Sequence, residues 1–144
     1  MIVTIVSPRA PPAGRDPDAL LTAAFLPTCV TEDIDAAHAS LARQIAAFAK
    51  LVSYRRSMGR RGFEGDVMRA AAAGEGVEAD AVSARLVASL AALGPAGAVA
   101  SRVQELRLAG VRLPIIAPVA LPGERGWQSM AETWSALAPT TAAT

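Results

Sequence analysis

The only histidine, His38, stands three residues after Asp35 in "TEDIDAAHASLARQ". A general base oriented by a carboxylate would have that spacing. A histidine on a solvated helix face has the same neighbours, and no nucleophile stands beside it. Cys29, the only cysteine, lies in the apolar stretch "TAAFLPTCV". No basic residue adjoins it in sequence, so it reads as a small core hydrophobe rather than an activated thiol. Arg55, Arg56, Arg60 and Arg61, with Tyr54 beside them, form the densest charge cluster. Guanidinium forks suit phosphate or carboxylate groups, such as an anionic cofactor tail; a solvated helix end explains the same residues.

Three further stretches carry less. Gly94-Pro95-Ala96-Gly97 could offer free N–H groups at a helix start to a phosphate, but it has neither Walker nor dinucleotide spacing. Glu75, Glu78 and Asp80 lack the spacing of a calcium loop. Trp127 and Trp134 stand seven residues apart on a helical stretch and read as core or interface packing. A single cysteine forbids an internal disulfide and a Cys-based zinc site. Residue chemistry therefore nominates no catalytic residue and no metal ligand.

The chain has 144 residues, enough for one core. Hydrophobic residues make up 52% but aromatic ones only 4%, which points to Ala-rich helices rather than a heavy core. A net charge of +1 argues against non-specific binding of nucleic acid, which needs a basic excess. The opening "MIVTIV" is apolar, yet no ordered n-region, h-region and cleavage site follow, so no signal peptide is expected. Residues 86–101 are uncharged, but Gly94-Pro95 interrupts them and they are too few to span a bilayer. The expected location is the cytoplasm, with no membrane partner.

These residues need elements to hold them. Residues 2–6 suggest a strand or a frayed start, and the proline-rich stretch 7–17 a loop. Residues 22–30 read as a strand. Thr31 looks like an N-cap with Glu32 and Asp33 set to complement a helix dipole. Ile34, Ala37, Leu41, Ile45, Phe48 and Val52 then recur at spacings of three and four, predicting one long amphipathic helix. A short helix near 64–73 and a turn at 74–80 follow. Val82, Leu86, Leu90 and Leu93 predict a helix that stops at Gly94. Pro95 suits the first position of the next helix, which buries Val99, Val103 and Leu106 and ends at Gly110 in an αL cap. A strand near 112–119 precedes a last helix near 126–137 with Trp127, Met130 and Trp134 on one side. Residues 139–144 read as a disordered tail. The alternation predicts an α/β fold of two or three parallel strands dominated by helix.

Two stretches resemble a known family. "AGRDPDALLTAAFLPTCVTEDIDAAHASLARQIAAFAKLVSYRRSMGRRGF" (13–63) resembles the late barrel region of luciferase-like oxidoreductases. "LVASLAALGPAGAVASRVQELRLAGVRLPIIAPV" (86–119) is similar to that family's closing helix, Gly-led helix start and final strand. The resemblance covers roughly 13–138 and leaves 1–12 unmatched. It is nearest to methylene-tetrahydromethanopterin reductases and related deazaflavin-dependent enzymes.

The resemblance implies the C-terminal part of a (β/α)8 barrel that binds FMN or a deazaflavin coenzyme. Strand 22–30 would be about the seventh and strand 112–119 the eighth, with the helices between them roofing the active site. Chemistry in such barrels sits at the C-terminal strand ends. The implied pocket residues are then Thr28, Val30, Ala117 and Pro118, with Tyr54, Arg55 and Arg56 approaching from the roof. The early strands have no counterpart, so the chain alone is expected to bind no cofactor tightly and to need a missing barrel half or self-association. A non-catalytic helical subunit that binds a partner is the other expectation.

Overall fold

The computed structural model describes residues 21–73, 82–123 and 126–138. The expectations for 2–6, 7–17, 74–80 and the tail lie outside the described residues.

Strand β1 (Ala23–Val30) alternates exposed and buried over its first four residues, as a strand covered on one face must. Strand β3 (Leu113–Pro118) pairs with it in parallel, from Ala23 opposite Leu113 to Thr28 opposite Pro118. The two strands taken from the sequence are therefore direct neighbours. A third strand, β2 (Ala92–Gly94), pairs with the other edge of β1, but only at Thr28–Val30. The sheet is parallel, in the order β2-β1-β3, and open at both edges among the described residues.

The sequence missed β2. Leu93 follows Leu90 by three residues, a step that fits a helix as well as a strand, so the short run was absorbed into the preceding helix. That helix, α4, spans only Ala84–Leu90, capped by the Ser83 hydroxyl accepting from Leu86 N–H at 3.2 Å.

Helices α5 (Ala96–Leu108) and α6 (Gly126–Leu137) lie against β1 and β3. Between sheet and helices sits a core of Ala24, Leu26, Ala92, Val99, Leu106 and Val111. Pro95 is the cap of α5 rather than its first residue. At the far end Gly110 takes φ +94°; its N–H reaches the Arg107 carbonyl at 3.0 Å, and Val111 N–H reaches Leu106 at 3.0 Å. This is the glycine-terminated helix end that the sequence predicted, with its hydrophobic contact in place.

The opposite face of the sheet is bare toward its N-terminal end. Phe25 is 39% exposed, and Leu21, Ala23 and Leu113 are exposed beside it.

The remaining helices form an arm with its own core. Helix α1 (Ile34–Ala49) is capped by the Asp33 side chain, which accepts from Ala36 N–H at 3.1 Å. Thr31 is not the cap; its hydroxyl accepts from Asp33 N–H at 3.0 Å and shapes the turn ahead of it. The predicted stripe buries Ala37, Leu41 and Ile45, but the helix ends at Ala49, and Val52 opens the separate helix α2 (Val52–Met58), 57% exposed. A wide turn, Gly59–Phe63, leads into α3 (Glu64–Ala72). Met58, Val67, Leu86 and Val87 pack on the alanines of α1, and Cys29, Val119 and Leu121 join this core to the end of the sheet.

Of the two expectations for the tryptophans, core packing fails, while packing at an interface is compatible with their exposure. Trp127 is 79% exposed and Trp134 66%, while Ser129 and Thr133 occupy the buried side of α6. Two hydroxyls are preferred there because backbone groups at the strand ends need partners.

Leu41→Ala should lower unfolding stability by about 2–5 kcal/mol through the cavity it leaves. Trp127→Ala should change it by no more than about 0.5 kcal/mol. Paired urea melts of the two variants would refute this placement of the core if the tryptophan variant were the weaker one.

Candidate functional site

The C-terminal ends of the strands are set by backbone hydrogen bonding. Thr28 lies between Ala92 on one side and Pro118 on the other. Its carbonyl accepts from Val119 N–H at 2.8 Å, and Thr31 N–H donates to the Gly94 carbonyl at 3.0 Å. Strand β3 ends too early to receive the N–H of Val30. The Thr133 hydroxyl of α6 accepts it instead, at 2.9 Å. Sequence reasoning missed Thr133; its signal was the Ser129/Thr133 pair, four residues apart, on the side of α6 away from the tryptophans.

The structure brings Thr28, Val30, Ala117 and Pro118 together at this end. Thr28 is fully buried and its hydroxyl donates to its own strand at the Leu26 carbonyl, 2.8 Å away. Ala117 and Pro118 are half-buried. Val30 lines a shallow cleft of about 650 Å³ with Thr31, Glu32, Pro95, Glu132 and Ser135. That lining holds two carboxylates and no cationic side chain.

Cys29, beside them, is fully buried. Burial pushes its thiol above the ordinary value, a hydrogen bond with Thr133 pulls the other way, and the nearby Glu132 carboxylate adds to the rise. A thiol so held stays protonated and unreactive at neutral pH. This agrees with the core reading.

Tyr54, Arg55 and Arg56 lie elsewhere. Helix α2 packs on α1, α3 and the wide turn. The Tyr54 ring meets Phe48 with centroids 5.1 Å apart, bridging the break between α1 and α2. Arg55 and Arg56 line a cleft of about 480 Å³ formed only by α2, the wide turn and α3. Strand ends and arginines thus face different clefts.

His38 is half-buried and lines a third cleft, of about 410 Å³, with Leu93, Arg102, Glu105 and mostly apolar neighbours. Its Nε2 is buried without a hydrogen-bond partner, as is Nε of Arg102, whose Nη1 donates to Glu105 at 2.8 Å. No hydroxyl or thiol lines this cleft, so a histidine base would find no nucleophile there. Among the described residues no three His, Cys, Asp or Glu side chains gather as a metal site requires, and no helix is long and apolar enough to cross a membrane.

A parallel α/β sheet with its polar groups gathered at the C-terminal strand ends is the frame in which many enzymes build their sites. The family model for luciferase-like monooxygenases matches residues 4–113, and the chain belongs to that family. The match begins within the first twelve residues and ends at the first residue of β3. No curated protein and no solved structure matches the chain.

Thr133→Val should cost about 1 kcal/mol, because it leaves the N–H of half-buried Val30 without its partner. Thr133→Ser should restore most of the loss. Because the folded-state pKa of Cys29 is raised, its contribution is present below the thiol's ordinary value and is lost as pH rises past it. A Cys29→Ala variant should therefore show a flatter alkaline limb in pH-dependent melts than the parent. Equal limbs would refute the burial argument.

Proposed function

We propose that the chain supplies two neighbouring strands and a helical excursion of a (β/α)8 barrel, contributing one wall of a flavin- or deazaflavin-dependent oxidoreductase pocket. The observation that carries this reading is the asymmetry of the sheet. Its two longer strands are parallel neighbours, and α5 and α6 cover one face. On the other, where the arm reaches only Cys29 at the C-terminal end, apolar side chains stand bare toward the N-terminal end. In a closed barrel the helix-covered face is the outside, and the bare face becomes interior once further strands close over it. Parallel sheets are ordinarily buried on both faces.

The cofactor's phosphate does not fit the cleft at the strand ends of this chain. A flavin or deazaflavin phosphate needs donors or cations, and the cleft at Val30 sets the Thr31 and Ser135 hydroxyls beside the Glu32 and Glu132 carboxylates, with no cation to offset them. The phosphate would then be held by residues outside these strand ends. The chain's part is to shape the pocket: Ala117 and Pro118 set the width of its mouth, and Thr133 holds the end of β1 in place. Closing the barrel takes further strands, supplied by an N-terminal barrel half or by a second copy, in a protein we place in the cytoplasm. A helical subunit that binds a partner without catalysis is the competing reading, favoured by the exposure of Trp127 and Trp134 on one side of α6.

Titrated with FMN and with a deazaflavin coenzyme, the purified chain should show no sub-micromolar binding. Co-expressed with the N-terminal half of a family barrel, it should restore tight binding, and Ala117→Trp should abolish it. If the complemented barrel binds cofactor equally well with Ala117→Trp, the pocket assignment is wrong. If no complex forms with any barrel half, and the tryptophan face captures a second copy without any gain in cofactor binding, the subunit reading replaces it.

A further inference from the structure

The strand-end reading leaves the arginines of the arm unused. Helix α2 and helix α3 meet at the wide turn Gly59–Phe63, where Gly62 takes φ +83°, a conformation glycine adopts without strain. The bend is clamped from outside by Arg85 of α4. Its Nη2 donates to the Gly62 carbonyl at 2.7 Å, its guanidinium lies 4.6 Å from the centre of the Phe63 ring, and Asp66 is 3.8 Å away. The crook this makes is the cleft of about 480 Å³, and Arg55, Arg56 and Arg60 all line it.

The charges of the cleft are not balanced from within. Arg69, Arg85 and Arg102 each find a carboxylate, but none of Arg55, Arg56 and Arg60 does among the described residues. Glu64 lines the same cleft and pairs with none of them. Three guanidinium groups against one carboxylate leave an uncompensated positive field in a concave site. Beside it, Val52 and Met68 are each 57% exposed, an apolar rim next to the charge.

We infer that the crook between α2 and α3 is a binding site for a multiply charged oxyanion of phosphate or carboxylate type, borne on a molecule with an apolar portion. Guanidinium forks match such oxygens in pairs, and Val52 and Met68 take the apolar part. Arg85 is a positioning residue: it holds the bend that brings Arg60 to the side of Arg55 and Arg56. The site is independent of the strand ends and does not rest on the redox reading.

The test is calorimetric titration of the purified chain with inorganic pyrophosphate and, separately, with a triglutamate peptide, at low and at physiological salt. At least one should bind saturably with Kd below about 1 mM at low salt and weaken as salt rises. Binding by pyrophosphate alone marks a phosphate ligand, and by triglutamate alone a carboxylate ligand. Arg55→Gln with Arg56→Gln should weaken binding at least about tenfold, Arg60→Gln alone should weaken it less, and Arg107→Gln on α5 should leave it unchanged. Circular dichroism establishes that each variant is folded, and Arg60→Gln decides the matter should the double variant not fold. No saturable binding of either probe with Kd below about 1 mM at low salt, or equal affinity in the cleft variants and Arg107→Gln, overturns the site.

Discussion

Among the described residues β1 is the one strand hydrogen-bonded on both sides, and the two cores they form meet on it. Leu26 sits in the core beneath α5 and α6, whereas Cys29 belongs to the core of the helical arm. Removing β1 would leave β3 without a partner and the arm without its attachment to the sheet. The pairing is also uneven. β3 runs beside six residues of β1, but β2 reaches only the last three, so among the described residues the N-terminal half of β1 keeps an open edge on that side. An open edge next to a bare apolar face invites further strands by the same backbone chemistry that holds β3.

That unevenness explains the polar residues at the C-terminal end. Once β3 stops at Pro118, the N–H of Val30 has no strand to donate to, and an unpaired donor at such depth is costly. α6 answers with Thr133, and Ser129 does the same for the Leu121 N–H at 2.9 Å. Filling the inner side of α6 with hydroxyls puts Trp127 and Trp134 outside. The position of two large apolar side chains thus follows from two backbone donors at the other side of the helix.

Elements whose signal is local were legible in the sequence. β1, β3, the glycine end of α5 and the burial of Ala37, Leu41 and Ile45 all follow from short-range pattern, turn chemistry or helical spacing. What was not legible depends on tertiary pairing. β2 is three residues long and exists because the end of β1 offers it a partner. The choice of Asp33 over Thr31 as cap rests on one hydrogen bond in a turn that offers two suitable oxygens in succession. The tryptophans' spacing of seven describes a stripe without saying which side of the helix is in demand, so it leaves core and interface packing undecided. Of the strand-end residues and the arginines, the sequence supplied the names, while the separation between their clefts appears only in the packing of α2 on α1 and α3.

The net charge of +1 conceals a segregation. Carboxylates stand at the strand ends, where Glu32 and Glu132 line one cleft; guanidinium groups stand on the arm, where Arg55, Arg56 and Arg60 line another. A whole-chain charge near zero is the ground for expecting no extended nucleic-acid surface, which needs a basic excess. It places no limit on a compact site, because screening confines each cluster's field to about one Debye length, roughly 8–10 Å. Each cleft therefore selects ligands by its own sign. An anion repelled at the strand ends is attracted at the arm, and the bend at Gly62 decides whether three arginines act together or apart.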